Sequence, residues 1–208
     1  WPGELNEAGY FGRLYGQMIS EQQLSGHGWV LRALSLLSEL RADTRAQQFS
    51  QPIIDQLFLP VAGEFSRYPI DAESREAAGS FSGTHLRTVG RWILSTDVGC
   101  FAIGMAGLID AWLAFRRNDS RVTELVEEMI GRFLEIDLRA IGAQTHATLS
   151  GCRGLLVYAE ATSRMDLVEA VAERFDLYLG HAQTETHANF NWFGRPQWTE
   201  PCAVVDSI

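Results

Sequence analysis

The feature that most constrains the fold is an apolar stripe at helical spacing that recurs along the chain. In residues 122 to 134, apolar side chains return every third or fourth position, while Glu124, Glu127 and Glu128 lie on the opposite face. Residues 30 to 40, 98 to 115, 154 to 161 and 167 to 179 show comparable patterns, whereas 78 to 88 and 189 to 196 read as short extended segments. The sequence therefore predicts an all-α fold.

The helical segments recur with a period of about 50 residues, which is typical of repeat architectures. The sequence Gly-x-x-Gly-Leu stands at residues 104 to 108 and again at 151 to 155, and a related stretch contains Gly26 and Gly28. Each copy is predicted to begin an apolar helix, which a polar turn joins to a second, more amphipathic helix. Such hairpins build an open solenoid or a closed α/α toroid. The apolar first helices favour an α/α-toroid-like array, an incomplete (α/α)6 barrel.

The length of the chain bears on whether such a ring closes. Six hairpins at this period need on the order of 300 residues, whereas the sequence has 208. We expect residues 1–208 to form a single helical-hairpin repeat domain that is a fragment of a longer catalytic domain. Because part of a ring exposes apolar inner helices, we also expect pairing into a homo-oligomer.

Charge and cysteine usage exclude several classes of protein. The net charge is −9 and all 17 basic residues are arginine, so the chain lacks the basic stripe of a nucleic-acid-binding protein and the lysine of a P-loop. No apolar run approaches the roughly 20 residues of a membrane span. Cys100, Cys152 and Cys202 are far apart and form no CxxC motif, which indicates a reducing compartment and a cytoplasmic protein.

Polar residues stand at the predicted entry of each inner helix. In a toroid these entries meet at one end, so their side chains line a common pocket. The residues concerned are His27, Asp97, His146 and the pair Glu200 and Cys202. We therefore expect them to contribute to one site.

Some of these residues also have a purely structural interpretation. Cys100 and Cys152 lie in apolar helices, where a free cysteine is usually a buried core residue. Trp29 and Trp112 are likewise predicted to be core residues. Asp97 is also a candidate N-cap for the helix that follows it.

A second candidate region is the aromatic segment from residue 181 to residue 198, which lacks helical periodicity. Long loops of this kind often carry function. Trp192 and Trp198 offer flat rings for the apolar face of a sugar, and His187 adds a polar group. Glu185 is the candidate catalytic acid, because glycoside cleavage needs a carboxyl group that protonates the leaving oxygen.

The segment from residue 198 to residue 202 pairs a carboxylate with a thiol. Glu200 and Cys202 are both suitable zinc ligands, although tetrahedral zinc needs further ligands. Pro201 suits the first turn of a helix. The sequence therefore predicts a zinc site at Glu200 and Cys202, or a first-turn carboxylate that complements the helix dipole.

Two of these motifs resemble a known family. Thr145-His146-Ala147 ahead of the second Gly-x-x-Gly-Leu, and Trp198-Thr199-Glu200-Pro201-Cys202-Ala203, are similar to motifs of the β-L-arabinofuranosidase family of glycoside hydrolases. The motif-level resemblance covers about the last third of the chain, and Pro201 stands where that family has a small polar residue.

The resemblance implies an α/α toroid that hydrolyses glycosidic bonds. It implies that Glu200 and Cys202 bind zinc, that Glu185 is the acid/base and that His146 contacts sugar hydroxyls. The family's later pair of cysteines, which includes its nucleophile, is not in the sequence. The nucleophile is therefore not assigned.

The function expected from the sequence is a carbohydrate-active hydrolase with a small-molecule carbohydrate substrate and no nucleic-acid or membrane partner. Its predicted catalytic residues are Glu185 and His146. The predicted substrate-binding residues are His27, Asp97, His187, Trp192 and Trp198. The alternatives are a sugar epimerase or uronide hydrolase that uses Asp97 and His146, a non-catalytic helical-repeat binding module, and a regulatory domain with an apolar pocket.

Overall fold

The computed structural model describes residues 17–73, 85–199 and 201–207, and it is mainly helical, as predicted. The helices are α1 (Glu21–Arg41), α2 (Thr44–Ile53), α3 (Phe101–Ala111), α4 (Ser120–Leu134), α5 (Thr145–Thr162), α6 (Met165–His181) and α7 (Cys202–Asp206). α2 continues through a π-helical turn (Ile54–Phe58) into a 3-10 turn (Leu59–Val61), and α3 continues as a π-helical turn (Trp112–Arg116). A further 3-10 turn is Phe65–Arg67.

The six longer helices form three hairpins, and the turns of the first two hairpins share their chemistry. Asp43 caps α2 and Asp119 caps α4, and each carboxylate accepts a hydrogen bond from the backbone N–H two residues later, at Arg45 and Arg121. The guanidinium group of the same arginine also pairs with that carboxylate. An N-cap of this kind stabilises the first turn of a helix.

The first helices of the hairpins, α1, α3 and α5, pack side by side as an inner layer, and α2, α4 and α6 each pack on their own partner. The contacts show that the inner helices run parallel. Gly104 meets Leu24 and Gly107 meets Gly28 between α1 and α3, while Gly151 meets Ala102 and Gly154 meets Ala106 between α3 and α5. In each pair of helices, the residue numbers of the contacting positions thus increase in the same direction along both helices.

The inner helices approach unusually closely at Gly28 and Gly107. A Cβ atom built on Gly107 would lie 2.0 Å from the carbonyl oxygen of Gly28, and one on Gly28 would lie 2.4 Å from that of Ile103. Only glycine allows two helix backbones to come this near. The repeated glycines therefore mark helix contacts, and the prediction that they begin the helices is wrong: α1, α3 and α5 begin earlier in the chain.

Two small sheets lie beside the helices. β1 (Ile19–Ser20) pairs parallel with β3 (Trp92–Ser95), and β2 (His85–Val89) pairs antiparallel with β3 on its other edge. β4 (Phe190–Trp192) and β5 (Arg195–Thr199) form an antiparallel hairpin.

The strands are tied to the start of α1 by a buried carboxylate. Glu21 accepts hydrogen bonds from the Ser95 backbone N–H at 2.6 Å and from the Tyr68 hydroxyl at 2.5 Å. This arrangement fixes the end of β3 against the first turn of α1.

No helix in the described part of the chain is long and apolar enough to cross a membrane.

Candidate functional site

The entries of the three inner helices meet at one end of the array. The Gln22 side chain at the start of α1 donates to Asp97 Oδ2 at 3.0 Å and to Ser95 Oγ at 3.1 Å. The Gln144 backbone N–H before α5 donates to the Val98 carbonyl at 2.8 Å. Residues from all three inner-helix entries are therefore in direct contact.

Asp97 lies at this junction and is buried. The prediction that it caps α3 is wrong, because α3 begins at Phe101 and Cys100 occupies the N-cap position. The intervening turn contains Gly99 with φ +83°, which delays the start of the helix. Asp97 instead links the entry of α3 to that of α1 through Gln22.

Trp192 and Trp198 lie close to the same end. Trp192 is buried, and its indole N–H donates to the Thr96 carbonyl at 2.9 Å. Trp198 is 37 % exposed and packs edge-on against Trp192, with 6.0 Å between ring centroids. Trp192 thus holds the β4–β5 hairpin against the α3 entry, and Trp198 is the ring of the two that solvent reaches.

A cluster of polar side chains surrounds a carboxylate near the end of the described chain. Asp206 in α7 is only 4 % exposed and contacts three side chains of α5. Ser150 Oγ donates to its Oδ2 at 3.2 Å, Arg153 Nη1 lies 3.2 Å from its Oδ1, and His146 Nδ1 is hydrogen-bonded to Oδ2. We call Asp206, His146, Ser150 and Arg153 the Asp206 cluster.

Helical geometry explains how α5 supplies the Asp206 cluster. Residues 146, 150 and 153 follow the spacing i, i+4, i+7 and so form one stripe along the helix. The stripe belongs to the inner face, which we define as the side of α1, α3 and α5 turned away from α2, α4 and α6. On α1 the corresponding positions are Trp29, Arg32 and Leu36.

Trp29 connects α1 to this cluster. Its indole ring stacks on the His146 imidazole with 5.6 Å between centroids and 13° between planes. The prediction that Trp29 is a core residue is wrong, because the side chain is 38 % exposed on the inner face, whereas Trp112 is buried as predicted. Trp29 presents an aromatic surface beside a carboxylate, an imidazole and a guanidinium group.

A groove runs from the Asp206 cluster along the inner face toward the C-terminal ends of the inner helices. It encloses about 680 Å³, which is within the usual range of ligand sites. Ala106 and Gly154 lie in it where α3 and α5 touch. Its charged side chains are Arg32, Glu39, Asp110, Arg153 and Glu160, with Leu36, Leu113 and Val157 as apolar neighbours. We call this the inner groove.

Asp110 is the carboxylate that α3 contributes to the inner groove. Its side chain is 23 % exposed, and Arg32 Nε lies 4.0 Å from Oδ2, too far for a hydrogen bond. Burial raises the pKa of Asp110 to about 6, and the nearby Arg32 charge only partly opposes this rise. A carboxyl group in a concave site with such a pKa is a typical sign of function.

Glu185 and His187 lie elsewhere. Both are exposed in the turn from residue 184 to residue 188, where the Thr184 backbone N–H donates to the Ala188 carbonyl at 2.7 Å. None of the contacts in the described part of the chain joins them to the Asp206 cluster. The structure therefore does not bring Glu185 together with His146.

His27 is also separated from the Asp206 cluster. It is buried within α1, where Nδ1 hydrogen-bonds with the Gln23 carbonyl at 2.8 Å. It is two positions before Trp29, so the two side chains point about 200° apart around the helix. His27 consequently lies on the side of α1 opposite Trp29, and burial lowers its pKa.

The predicted zinc pair is described only in part. Cys202 is exposed at the first residue of α7, and Glu200 lies outside the described residues. Within residues 17–73, 85–199 and 201–207, no three His, Cys, Asp or Glu side chains are grouped so as to hold a metal ion. The described residues thus supply no set of zinc ligands around Cys202, and the zinc site stays a prediction.

The other two cysteines are core residues, as predicted. Cys100 and Cys152 are both buried. Burial raises the pKa of the Cys152 thiol to about 12, so that residue is protonated at neutral pH. A protonated thiol is a poor nucleophile.

Sequence reasoning missed the residues that surround His146. Ser150, Arg153 and Asp206 were not candidates, although the i, i+4, i+7 spacing from His146 on one predicted helix is a readable signal. Asp110 was hidden within an apolar helix. A lone charged residue in such a helix is itself unusual, since charged groups are rarely buried without a partner.

Comparison with known proteins does not assign the chain to a family. No protein-family model matches the chain, and no curated protein or solved structure shows significant similarity to it.

Proposed function

We propose that the protein is a carbohydrate-active hydrolase in which the ligand binds on the inner face and His146 transfers the proton. The observation that carries the proposal is the Asp206 cluster, which places an imidazole, a guanidinium group, a hydroxyl and a carboxylate beside the exposed indole of Trp29.

The chemistry of the pair formed by His146 and Asp206 supports proton transfer. A carboxylate hydrogen-bonded to Nδ1 fixes the tautomer and orientation of an imidazole and stabilises its protonated form. An imidazolium held in this way can protonate the leaving oxygen of a glycosidic bond while water attacks the anomeric carbon, and the proton that the water loses restores the imidazolium. His146 thereby replaces Glu185 in the acid role.

The surroundings of His146 suit a sugar. The Arg153 side chain is 33 % exposed, and a guanidinium group donates hydrogen bonds to hydroxyl or ring oxygens. The face of an indole packs against the C–H groups of a sugar ring. Aromatic and charged groups thus meet within one concave surface.

The proposed architecture is an α/α toroid, of which the three hairpins form an arc. The parallel inner helices and the turn chemistry that the first two hairpins share support this arrangement. In such an arc the inner face is concave, which agrees with the groove that it carries.

The proposal is tested with aryl arabinofuranosides as substrates. We expect His146→Gln to lower kcat about 100-fold, the usual contribution of a general acid. Glu185→Gln is the matched control and should leave the rate unchanged. Full activity of His146→Gln, or loss of activity in Glu185→Gln, would contradict the assignment.

A second candidate is a glycan-binding module without catalysis. One observation favours it: three neighbours already engage Asp206, the carboxylate of the cluster, so the cluster offers no carboxylate for the base or nucleophile that hydrolysis also needs. Calorimetry separates the two candidates. Saturable binding of a glycoside with no release of product over days would select the binding module.

A further inference from the structure

We propose that the inner groove is a second sugar subsite, so that the ligand is an oligosaccharide that extends from the Asp206 cluster to Asp110. This inference rests on the proposed function, because it concerns the same ligand. It adds the length of that ligand and the residues that bind its distal part.

The two sites are continuous through one side chain. Arg153 Nη1 contacts Asp206 in the cluster, and the same side chain lines the inner groove together with Asp110. The guanidinium group therefore borders both sites. A ligand that leaves the cluster along the inner face passes Arg153 and enters the groove.

The distance between the sites decides the size of the ligand. Gly154 packs against Ala106, so Asp110, which is one turn beyond Ala106, is level with about residue 158 of α5. His146 lies about three helical turns before that level, or about 18 Å along the axis. This length exceeds a single sugar ring and requires several linked units.

The Asp110 carboxylate in the groove lacks hydrogen-bond donors among the described residues, and the hydroxyl groups of a sugar supply such donors. Asp110 accepts no hydrogen bond from any described residue, and its nearest cation is Arg32, 4.0 Å away. Carboxylates accept hydrogen bonds from hydroxyl donors. Vicinal hydroxyls of a sugar would supply donors to Asp110 and acceptors to Arg32 and Arg153.

The charges around Asp110 favour a neutral, hydroxyl-rich ligand over an anion. α1 contributes Arg32 and Glu39, and α5 contributes Arg153 and Glu160. The carboxylates thus outnumber the guanidinium groups, and Asp206 already engages Arg153. An anionic sugar would meet repulsion from Asp110 and Glu160.

The test measures how affinity depends on ligand length. Calorimetry compares methyl β-L-arabinofuranoside with β-linked arabino-oligosaccharides of two, three and four units, for the wild type, Asp110→Asn and the control Asp176→Asn. Asp176 is exposed on α6, outside the inner face. Asparagine keeps the shape of the aspartate, and circular dichroism confirms that each variant folds.

We expect affinity to rise about tenfold or more between one and four units in the wild type and in Asp176→Asn. In Asp110→Asn this gain should be lost, while affinity for the methyl glycoside stays unchanged. Equal affinity for all lengths, or a gain that survives Asp110→Asn, would overturn the inference and leave the proposed function intact. If even the methyl glycoside does not bind, the proposed function fails and the inference fails with it.

A second measurement needs no variant. The carboxyl carbon of Asp110 is titrated by NMR in the wild type, with and without the tetrasaccharide. Hydrogen bonds from hydroxyls favour the ionised form, so the tetrasaccharide should lower the pKa of Asp110 and the methyl glycoside should not. An unchanged titration with saturating tetrasaccharide would contradict direct contact.

Discussion

Asp206 and Asp110 are two carboxylates on the same face of the molecule, and they differ in exposure and in hydrogen-bond partners. Asp206 is 4 % exposed and is engaged by His146, Ser150 and Arg153. Asp110 is 23 % exposed and has only Arg32 nearby, at 4.0 Å. Both lie in concave surroundings lined by the inner helices.

Because of this difference, only one of the two carboxylates is able to gain hydrogen-bond partners from a ligand. A carboxylate that accepts several hydrogen bonds orients the groups that donate them, and removing it leaves buried donors without a partner. A carboxylate that is desolvated but not hydrogen-bonded has a raised pKa and gains partners only when a ligand arrives. Asp206 is therefore a positioning residue, and Asp110 is a group available for binding.

Both carboxylates depend on the close contact between α1 and α3, and a substitution at that contact should destabilise the protein most. Gly107→Ala would place a Cβ atom 2.0 Å from the Gly28 carbonyl oxygen, a collision between two backbones that no rotamer relieves. We expect the free energy of unfolding to fall by about 3 kcal/mol, measured by urea denaturation. Gly131→Ala in α4 is the control, because nothing lies within 4 Å of its added Cβ. That variant should gain up to about 1 kcal/mol, since alanine favours the helix.

The next effect tests the positioning role of Asp206. Asp206→Ala leaves Arg153 and His146 without their carboxylate, and we expect a loss of about 2 kcal/mol in the free energy of unfolding. Asp166 forms an ion pair with Arg164 at 2.6 Å, but at an exposed site, so Asp166→Ala should change stability little. Equal losses in the two variants would show that the Asp206 cluster has no special role.

Asp110→Asn, unlike Asp206→Ala, should raise the free energy of unfolding at alkaline pH. The folded pKa of Asp110 is raised from 3.8 to about 6, so its contribution to stability is complete below pH 3.8 and is lost as the pH rises through 6. That difference corresponds to at most about 3 kcal/mol, and partial exposure reduces it to about 1 kcal/mol. Asp110→Asn should therefore be more stable than the wild type at pH 8 and similar at pH 4. A variant that is less stable at pH 8 would contradict this account.

His27 should have the smallest influence, and it provides a reference for how the free energy of unfolding varies with pH. Burial lowers its folded pKa below the ordinary 6.5. Its contribution to stability is thus complete above pH 6.5 and is lost as the pH falls through the folded pKa. The difference in unfolding free energy between the wild type and His27→Gln should shrink on acidification. In contrast, the difference in unfolding free energy between Asp110→Asn and the wild type should grow as the pH rises.

The sequence predicted the helical hairpins well because their signals are local. The apolar stripe of α4 and the polar turns ahead of α2 and α4 are determined by neighbours within a few positions. The glycines at 104 and 107 were recognised as a repeat, but their role was misassigned. What they contact lies on another helix, and a single sequence does not record that contact.

The candidate site was harder to predict because its residues meet only in the folded chain. Trp29 and His146 belong to different hairpins, and Asp206 belongs to a third element, so no local spacing connects them. Glu185 was favoured by its aromatic neighbours along the chain. Those neighbours include Trp192, which folds against Thr96 while Glu185 remains in an exposed turn.

The approach of Gly28 to Gly107 also limits how this protein can vary. The width of the inner groove depends on how near α1 and α3 come, and that spacing is set by two missing side chains. A larger residue at either position would move α1 away from α3 and thus separate Arg32 from Asp110 within the groove. Redesign of ligand preference is therefore safer at Leu36, Leu113 or Val157, whose side chains border the groove without separating the helices.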